Sequence, residues 1–400
     1  MRKIYFDHSA TTPVHPDAAE EMCRCLNSIY GNPSSIHSFG REAKKALEEA
    51  REKVARGIGA NPAEIVFTSG GTESDRLAIR GAVNSNHARG NHIITSAVEH
   101  HAVLDTCRSL ESEGFELTVL PVDEYGMVDP GHLARAIKDN TILITIMHTN
   151  NEVGTIQPIA EMARIAREKG VVFHTDAVQS MGKIPVDVND LQVDLLSLSG
   201  HKIYAPKGTG ALYIRRGTRW KPVDFGGGQE RKRRPGTENL PGIVALGKAV
   251  EIAAAEMEKE AARLILLRDK IISRILERVP HARLIGHPDM RLPNHASFIF
   301  DYIEGESLLF SLDMKGVAAS SGSACTSGSL EPSHVLLAMG IPLEKAHGSL
   351  RITMGRVNTE EDVGHFIEIL PPLVERLREM SPLGFTQGSQ KNEADNIYPC

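Results

Sequence analysis

A lysine amine attacks carbonyls when its surroundings disfavour the ammonium form, and Ser197-Leu198-Ser199-Gly200-His201-Lys202 offers such a setting. A short apolar run leads into hydroxyl and imidazole donors and then the amine, the pattern of a Schiff-base lysine carrying an aldehyde cofactor. A surface lysine on a loop would read the same way, so the neighbours must decide.

Three tracts bear on that choice. Val172-Phe173-His174-Thr175-Asp176 places a carboxylate at the end of a buried strand, where open α/β sheets put their ligands, with Gln179 just beyond. Such an Asp keeps a pyridine nitrogen protonated and so makes the ring an electron sink; alternatively it is a cap or turn residue. Phe67-Thr68-Ser69-Gly70-Gly71-Thr72-Glu73-Ser74 runs from a strand into a helix and can cup a phosphate on free N–H groups and the Thr72 hydroxyl. No Gly-Lys-Ser/Thr follows, so it is not a nucleoside triphosphate loop, although a plain capping box with Ser69 or Thr72 as N-cap remains open. His100, at a third strand end, can stack on a flat ring and carry protons, or only cap locally. Together these residues suit pyridoxal phosphate.

Two further tracts suit a substrate. Cys325 lies among Ser320-Ser321-Gly322-Ser323-Ala324 and Thr326-Ser327-Gly328-Ser329, polar surroundings that favour a reactive loop thiol over a packed one. Arg351, between apolar neighbours in Leu350-Arg351-Ile352, fits a buried carboxylate or a structural ion pair. Cys23, Cys25 and Cys107 fall in helical patterns and read as buried or half-buried inert thiols.

The elements that must position these groups follow from pattern. Apolar runs at 64–67, 92–95, 116–120, 141–147, 171–174, 194–198 and 210–214 alternate with helical patterns, which predicts a mostly parallel seven-stranded sheet between helix layers. A helix over 238–279 links this to a smaller α+β domain with strands at 296–300 and 349–354 and helices at 305–312, 333–339 and 359–379. The expected division is an extended segment 1–15 packing with the small domain, a large domain 16–255, a small domain 256–380 and a tail 381–400. At 400 residues, 24% charged and net charge −6, nothing points to nucleic acid as the main ligand. No apolar run long enough for a membrane occurs, no secretory signal is seen, and five cysteines without metal spacing point to a reducing, cytoplasmic setting.

With these motifs in order, and with Asp7-His8-Ser9-Ala10-Thr11-Thr12-Pro13, Gly31-Asn32-Pro33, Asn150-Asn151-Glu152-Val153-Gly154 and Gly226-Gly227-Gly228-Gln229-Glu230, residues 1–380 resemble the cysteine desulfurases of the NifS and IscS type. The resemblance implies PLP-dependent fold type I. It implies Lys202 as the Schiff-base lysine, Asp176 on the ring nitrogen, Gln179 on the ring hydroxyl, His100 against the ring and Asn151 holding cofactor and substrate. The phosphate would rest on Thr72, Ser199 and His201, with Gly71 and Gly200 also at the cofactor and Thr237 reaching in from the other subunit of a homodimer. Asn32 and Arg351 would bind the carboxylate of L-cysteine. Lys202 would remove its α-proton, Cys325 would take its sulfur as a persulfide, and alanine would leave. An iron-sulfur scaffold protein would be the acceptor, in general cluster assembly or nitrogenase maturation, with Cys325 a transient cluster ligand; a selenocysteine lyase or another thiol-independent fold-type-I enzyme is the alternative. The chain departs from the family pattern at Arg76, Ala205 and Pro235.

Overall fold

A computed structural model describes residues 3–322 and 332–381 and centres on a seven-stranded sheet. In chain order the strands of the molecule are β1 Ile4–Tyr5, β2 Ile65–Thr68, β3 His92–Ser96, β4 Glu116–Leu120, β5 Thr141–Thr145, β6 Val172–Asp176, β7 Leu195–Ser199 and β8 Gly210–Ile214. Four more follow: β9 Ala282–Ile285, β10 His295–Phe300, β11 Val317–Ala318 and β12 Ser349–Thr353.

The large sheet has the order β2-β8-β7-β6-β5-β3-β4. Strands β3 to β7 pair in parallel, while β8 runs antiparallel to both β7 and β2. The carboxyl ends of β2, β3, β5, β6 and β7 therefore open along one edge. Strand alternation divides the core in two. Phe67, Ile94, Ile144, Phe173 and Leu196 face one layer, and Val66, Ile93, Leu143, Val172 and Leu195 face the other. Apolar side chains on both faces are what a parallel sheet between helices requires. The first layer packs on the helices Ser38–Gly57 and Ile159–Glu168, the second on Gly71–Asn86 and His101–Glu111.

A three-stranded antiparallel sheet, β12-β10-β9, forms a second core with the helices Gly305–Asp313 and Glu360–Met380. The 39-residue helix Leu240–Arg278 joins the two: residues up to Val250 pack in the first core and residues from Leu264 in the second. At the amino end, β1 pairs in parallel with β11, and Asp7 bridges to Thr353. Of the described cysteines, Cys25 and Cys107 are buried, but Cys23 is exposed, since only one of two residues spaced two apart on a helix can face the core. No helix among the described residues is long and apolar enough to cross a membrane.

Candidate active site

A cavity of about 190 Å³ lies at the carboxyl ends of the large sheet, and its walls include Lys202, Asp176, Gln179, His100, Asn151, Gly71, Thr72, Ser199 and His201. Ser9, Asp75, Met147 and Val178 complete them. Lys202 ends a single 3-10 turn, Gly200–Lys202, that directly follows β7. Gly200 has no room for a side chain, since an added Cβ would stand 2.5 Å from the Thr209 hydroxyl. The Lys202 ammonium donates to the carbonyls of Ser9 at 2.6 Å and Ala10 at 2.7 Å, so the amino-terminal segment closes one side.

Asp176 is the last residue of β6 and is buried. Burial lifts its carboxyl to about 6, against a Val178 N–H bond of 2.8 Å and the Lys202 charge, which pull it down. Near neutral pH it is mostly an anion facing a cation across the cavity. Gln179 donates its amide to the Ser9 carbonyl at 2.9 Å and accepts from Lys183, whose amine burial pushes down to about 7.

His100 caps the helix His101–Glu111, its Nδ1 accepting the Ala102 N–H at 3.1 Å. With its lone pair on Nδ1, the neutral ring carries its proton on Nε2. Burial first, and the Lys202 charge second, hold it down at about 4, so it is neutral at physiological pH. Beside it, Glu99 is fully buried on the Ser96 hydroxyl and the Met147 N–H, and burial lifts it to about 8.

The opposite end of the cavity suits an anion. The helix Gly71–Asn86 begins at Gly70 with no side-chain cap, so the capping box that Ser69 or Thr72 could have made is absent; Glu73 instead accepts the Ser69 N–H at 2.6 Å. First-turn N–H groups have no partner within a helix, and here they meet Thr72, Ser199 and His201. An added Cβ at Gly71 would approach Val178 to 2.8 Å and Ser199 to 3.5 Å, so the backbone is brought close on purpose of space. A buried carboxylate, an amine, a neutral imidazole and an uncapped helix start fit a phosphorylated pyridine aldehyde such as pyridoxal phosphate.

Other expected residues stand apart. Arg351, on β12, is buried and gives one NH2 bond to Asp7 at 2.9 Å and one NH1 bond to the Asn151 carbonyl at 3.2 Å, while its Nε has no partner among the described residues. Asn32 is exposed, its amide oxygen accepting the Ser34 N–H. Thr237 is exposed and lines a separate cavity with Glu230, Arg234 and Ser69. Its loop is anchored by Glu230, Arg231 and Lys232 at φ of 45°, 56° and 64°, which costs a non-glycine residue about 1 kcal/mol or more. The buried Glu230–Arg51 pair at 2.7 Å offsets that cost. Arg76 pairs with Asp224 at 2.8 Å, a local tie for the same loop. Cys325 lies outside the described residues. Glu152 accepts from the Ser333 hydroxyl, and an added Cβ at Gly322 would stand 2.9 Å from its Oε2. Sequence reasoning missed Ser9, Asp75, Glu99 and Glu152. Glu152 sits inside a quoted motif and could have been found there; Ser9 acts through its backbone and leaves no signature.

The model for class-V aminotransferases matches residues 4–366. A protein named cysteine desulfurase IscS from Methanosarcina thermophila is 56% identical over 96% of this chain and 94% of its own length. One of the same name from Dictyoglomus turgidum is 54% identical over 95% and 97%. Among solved structures, a NifS-like protein superposes with a TM-score of 0.89 at 40% identity, covering 94% of this chain and all 100% of its own. Another, SspA in complex with cysteine, gives 0.78 at 38%, covering 88% and 99%. The chain belongs to the class-V aminotransferase family, among its cysteine desulfurases.

Proposed function

We propose that this protein is a pyridoxal phosphate-dependent cysteine desulfurase that converts L-cysteine to L-alanine and keeps the sulfur as a persulfide on Cys325. The observation that carries the reading is the facing of Lys202 and the buried Asp176 across a cavity whose far end is an uncapped helix start. Lys202 would hold the cofactor aldehyde, and Asp176 its ring nitrogen. Gln179 would meet the ring hydroxyl, and His100 the ring face. Thr72, Ser199, His201 and the N–H groups of Gly71 and its successors would hold the phosphate. Bound there, pyridoxal phosphate supplies an electron sink for a carbanion at the substrate α-carbon.

The chain's own residues do the rest. Asn151 and Arg351 orient the substrate carboxylate, and for Arg351 this means exchanging the Asp7 pair for the incoming anion. Lys202, released from the cofactor, moves the α-proton. His100, neutral with its proton on Nε2, donates a hydrogen bond from that nitrogen beside the thiol. The Cys325 sulfur attacks the cysteine sulfur: an S–S bond forms, the substrate C–S bond breaks, and its carbon takes up a proton to become the methyl of alanine. Electrons balance without an outside oxidant, since one carbon is reduced as two sulfurs share the oxidation.

Thr237, exposed in one chain, would reach the phosphate of the neighbouring subunit in a homodimer, and Asn32, also exposed, would join Arg351 on the substrate carboxylate. The persulfide passes to an iron-sulfur scaffold protein in the cytoplasm. The test is alanine release from cysteine by wild type and Cys325→Ser. Loss in the variant supports a persulfide enzyme, whereas an unchanged rate would leave a thiol-independent lyase.

A further inference from the structure

Asp75 has no part in the reaction just described, yet it lines the same cavity. It lies on the inner face of the helix Gly71–Asn86, 1% exposed, and its Oδ1 has no hydrogen-bond partner among the described residues. A carboxylate in that state would carry an uncompensated charge, which a protein interior resists strongly. His174 Nε2 lies 3.7 Å from it, but that imidazole bonds Thr145 through Nδ1 and Ser197 through Nε2, and burial keeps it neutral. The Ser197 hydroxyl favours the Asp75 anion, and Ser197 is the register partner of Asp176 on the adjacent strand. The two carboxyls are thus neighbours across one serine.

We propose that Asp75 and Asp176 hold one proton between them at neutral pH, that Asp75 is its resident, and that Asp75 thereby positions the charge on Asp176. The choice of resident rests on the partners. Asp176 has a backbone donor in Val178 and faces the Lys202 ammonium, both of which favour its anion. The charge that reaches Asp75 near neutral pH is that of Asp176, which favours its acid form, while Glu99, lifted to about 8 by burial, is itself mostly neutral there. From the facing helix His101–Glu111 comes Cys107, a buried thiol kept neutral by burial, so no cation opposes that charge there. A neutral acid beside an anion leaves a single negative charge, the amount one pyridinium nitrogen can pair. That last point rests on the cofactor reading above; the proton itself does not.

The direct test uses cofactor-free protein labelled with carbon-13 at aspartate side-chain carboxyls, which leaves Glu99 silent. Asp75→Asn and Asp176→Asn assign the two resonances. At about pH 7 the Asp75 carbon should show the shift of a carboxylic acid and Asp176 that of a carboxylate; the reverse, or two carboxylates, overturns the proposal. Thermal stability is a second readout. An acid whose folded pKa is raised contributes stability below its unfolded value and loses it as pH rises. Asp75→Asn should therefore raise Tm by a few degrees more at about pH 8 than at about pH 5. An equal change at both pH values contradicts it. Should the Asn variant not fold, the wild-type Asp resonances still decide, because only an acid-form signal persisting near neutral pH agrees with the proposal. Added pyridoxal phosphate should shift Asp176 and leave Asp75 protonated. If no cofactor binds while Asp75 still holds its proton, the cofactor reading fails and this one stands.

Discussion

The floor and the rim of the cavity are built in different ways. Floor residues Lys202, Asp176, Thr72, Ser199 and His201 come from strand ends and helix starts within one core, and they converge inside a single chain. Residues proposed for the rim do not: Asn32 and Thr237 are exposed, Arg351 is held by Asp7, and Cys325 lies outside the described residues. The floor is set by packing, so it exists before any ligand arrives. On the proposed function, the rim is completed by a second copy, by substrate and by the thiol, which would make it the part that senses cysteine.

The largest expected effect strikes the floor. Lys202→Ala removes both the cofactor link and the base, and alanine formation should fall by about 10³-fold or more in a steady-state assay. A rate within tenfold of wild type would mean that another group moves the proton. Next comes the rim. Arg351→Ala loses a charge-assisted carboxylate contact and should raise KM for cysteine by about 10- to 100-fold while cofactor absorbance stays unchanged. Loss of cofactor together with KM would erase the distinction between the two regions.

A smaller effect belongs to the phosphate end. In Gly71→Ala the new Cβ would collide with Val178, and displacing it should weaken pyridoxal phosphate binding about tenfold, measured by fluorescence titration of the cofactor-free protein. The smallest concerns His100. Because its folded pKa lies at about 4, below the unfolded value near 6.5, the unfolded chain takes up its proton first as pH falls, and stability declines below about pH 6.5. Activity, in contrast, should show no His100 inflection near pH 6.5 in a kcat profile, and His100→Gln should keep the profile's shape while lowering its height. An inflection near pH 6.5 that vanishes in His100→Gln would show that the ring is not held neutral.

Much of the floor was legible in the sequence, and the reason is physical. All seven strands of the main sheet are short apolar runs with helical patterns between them, and their observed bounds lie within about two residues of those read from periodicity. Strand β9, half exposed and only four residues long, gave no such contrast, and the two-residue pair of β1 and β11 exists only through tertiary contact. The same divide holds for side chains. Lys202, Asp176 and Thr72 announce themselves by type and place, whereas Asp75 reads as an ordinary polar residue on a helix until its burial against β6 and β7 is seen. Asn32 and Thr237 were named by family likeness alone, and among the described residues neither lines the cavity.

The central claim is that the floor prepares cysteine so that the rim thiol can take its sulfur. Intact-protein mass spectrometry after a single turnover with L-cysteine, paired with alanine quantification, tests it most directly. The account predicts one added sulfur atom per active site, mapped to Cys325 and removable by a reducing thiol, with one alanine released. Alanine formed at that yield with no sulfur on Cys325 would contradict it.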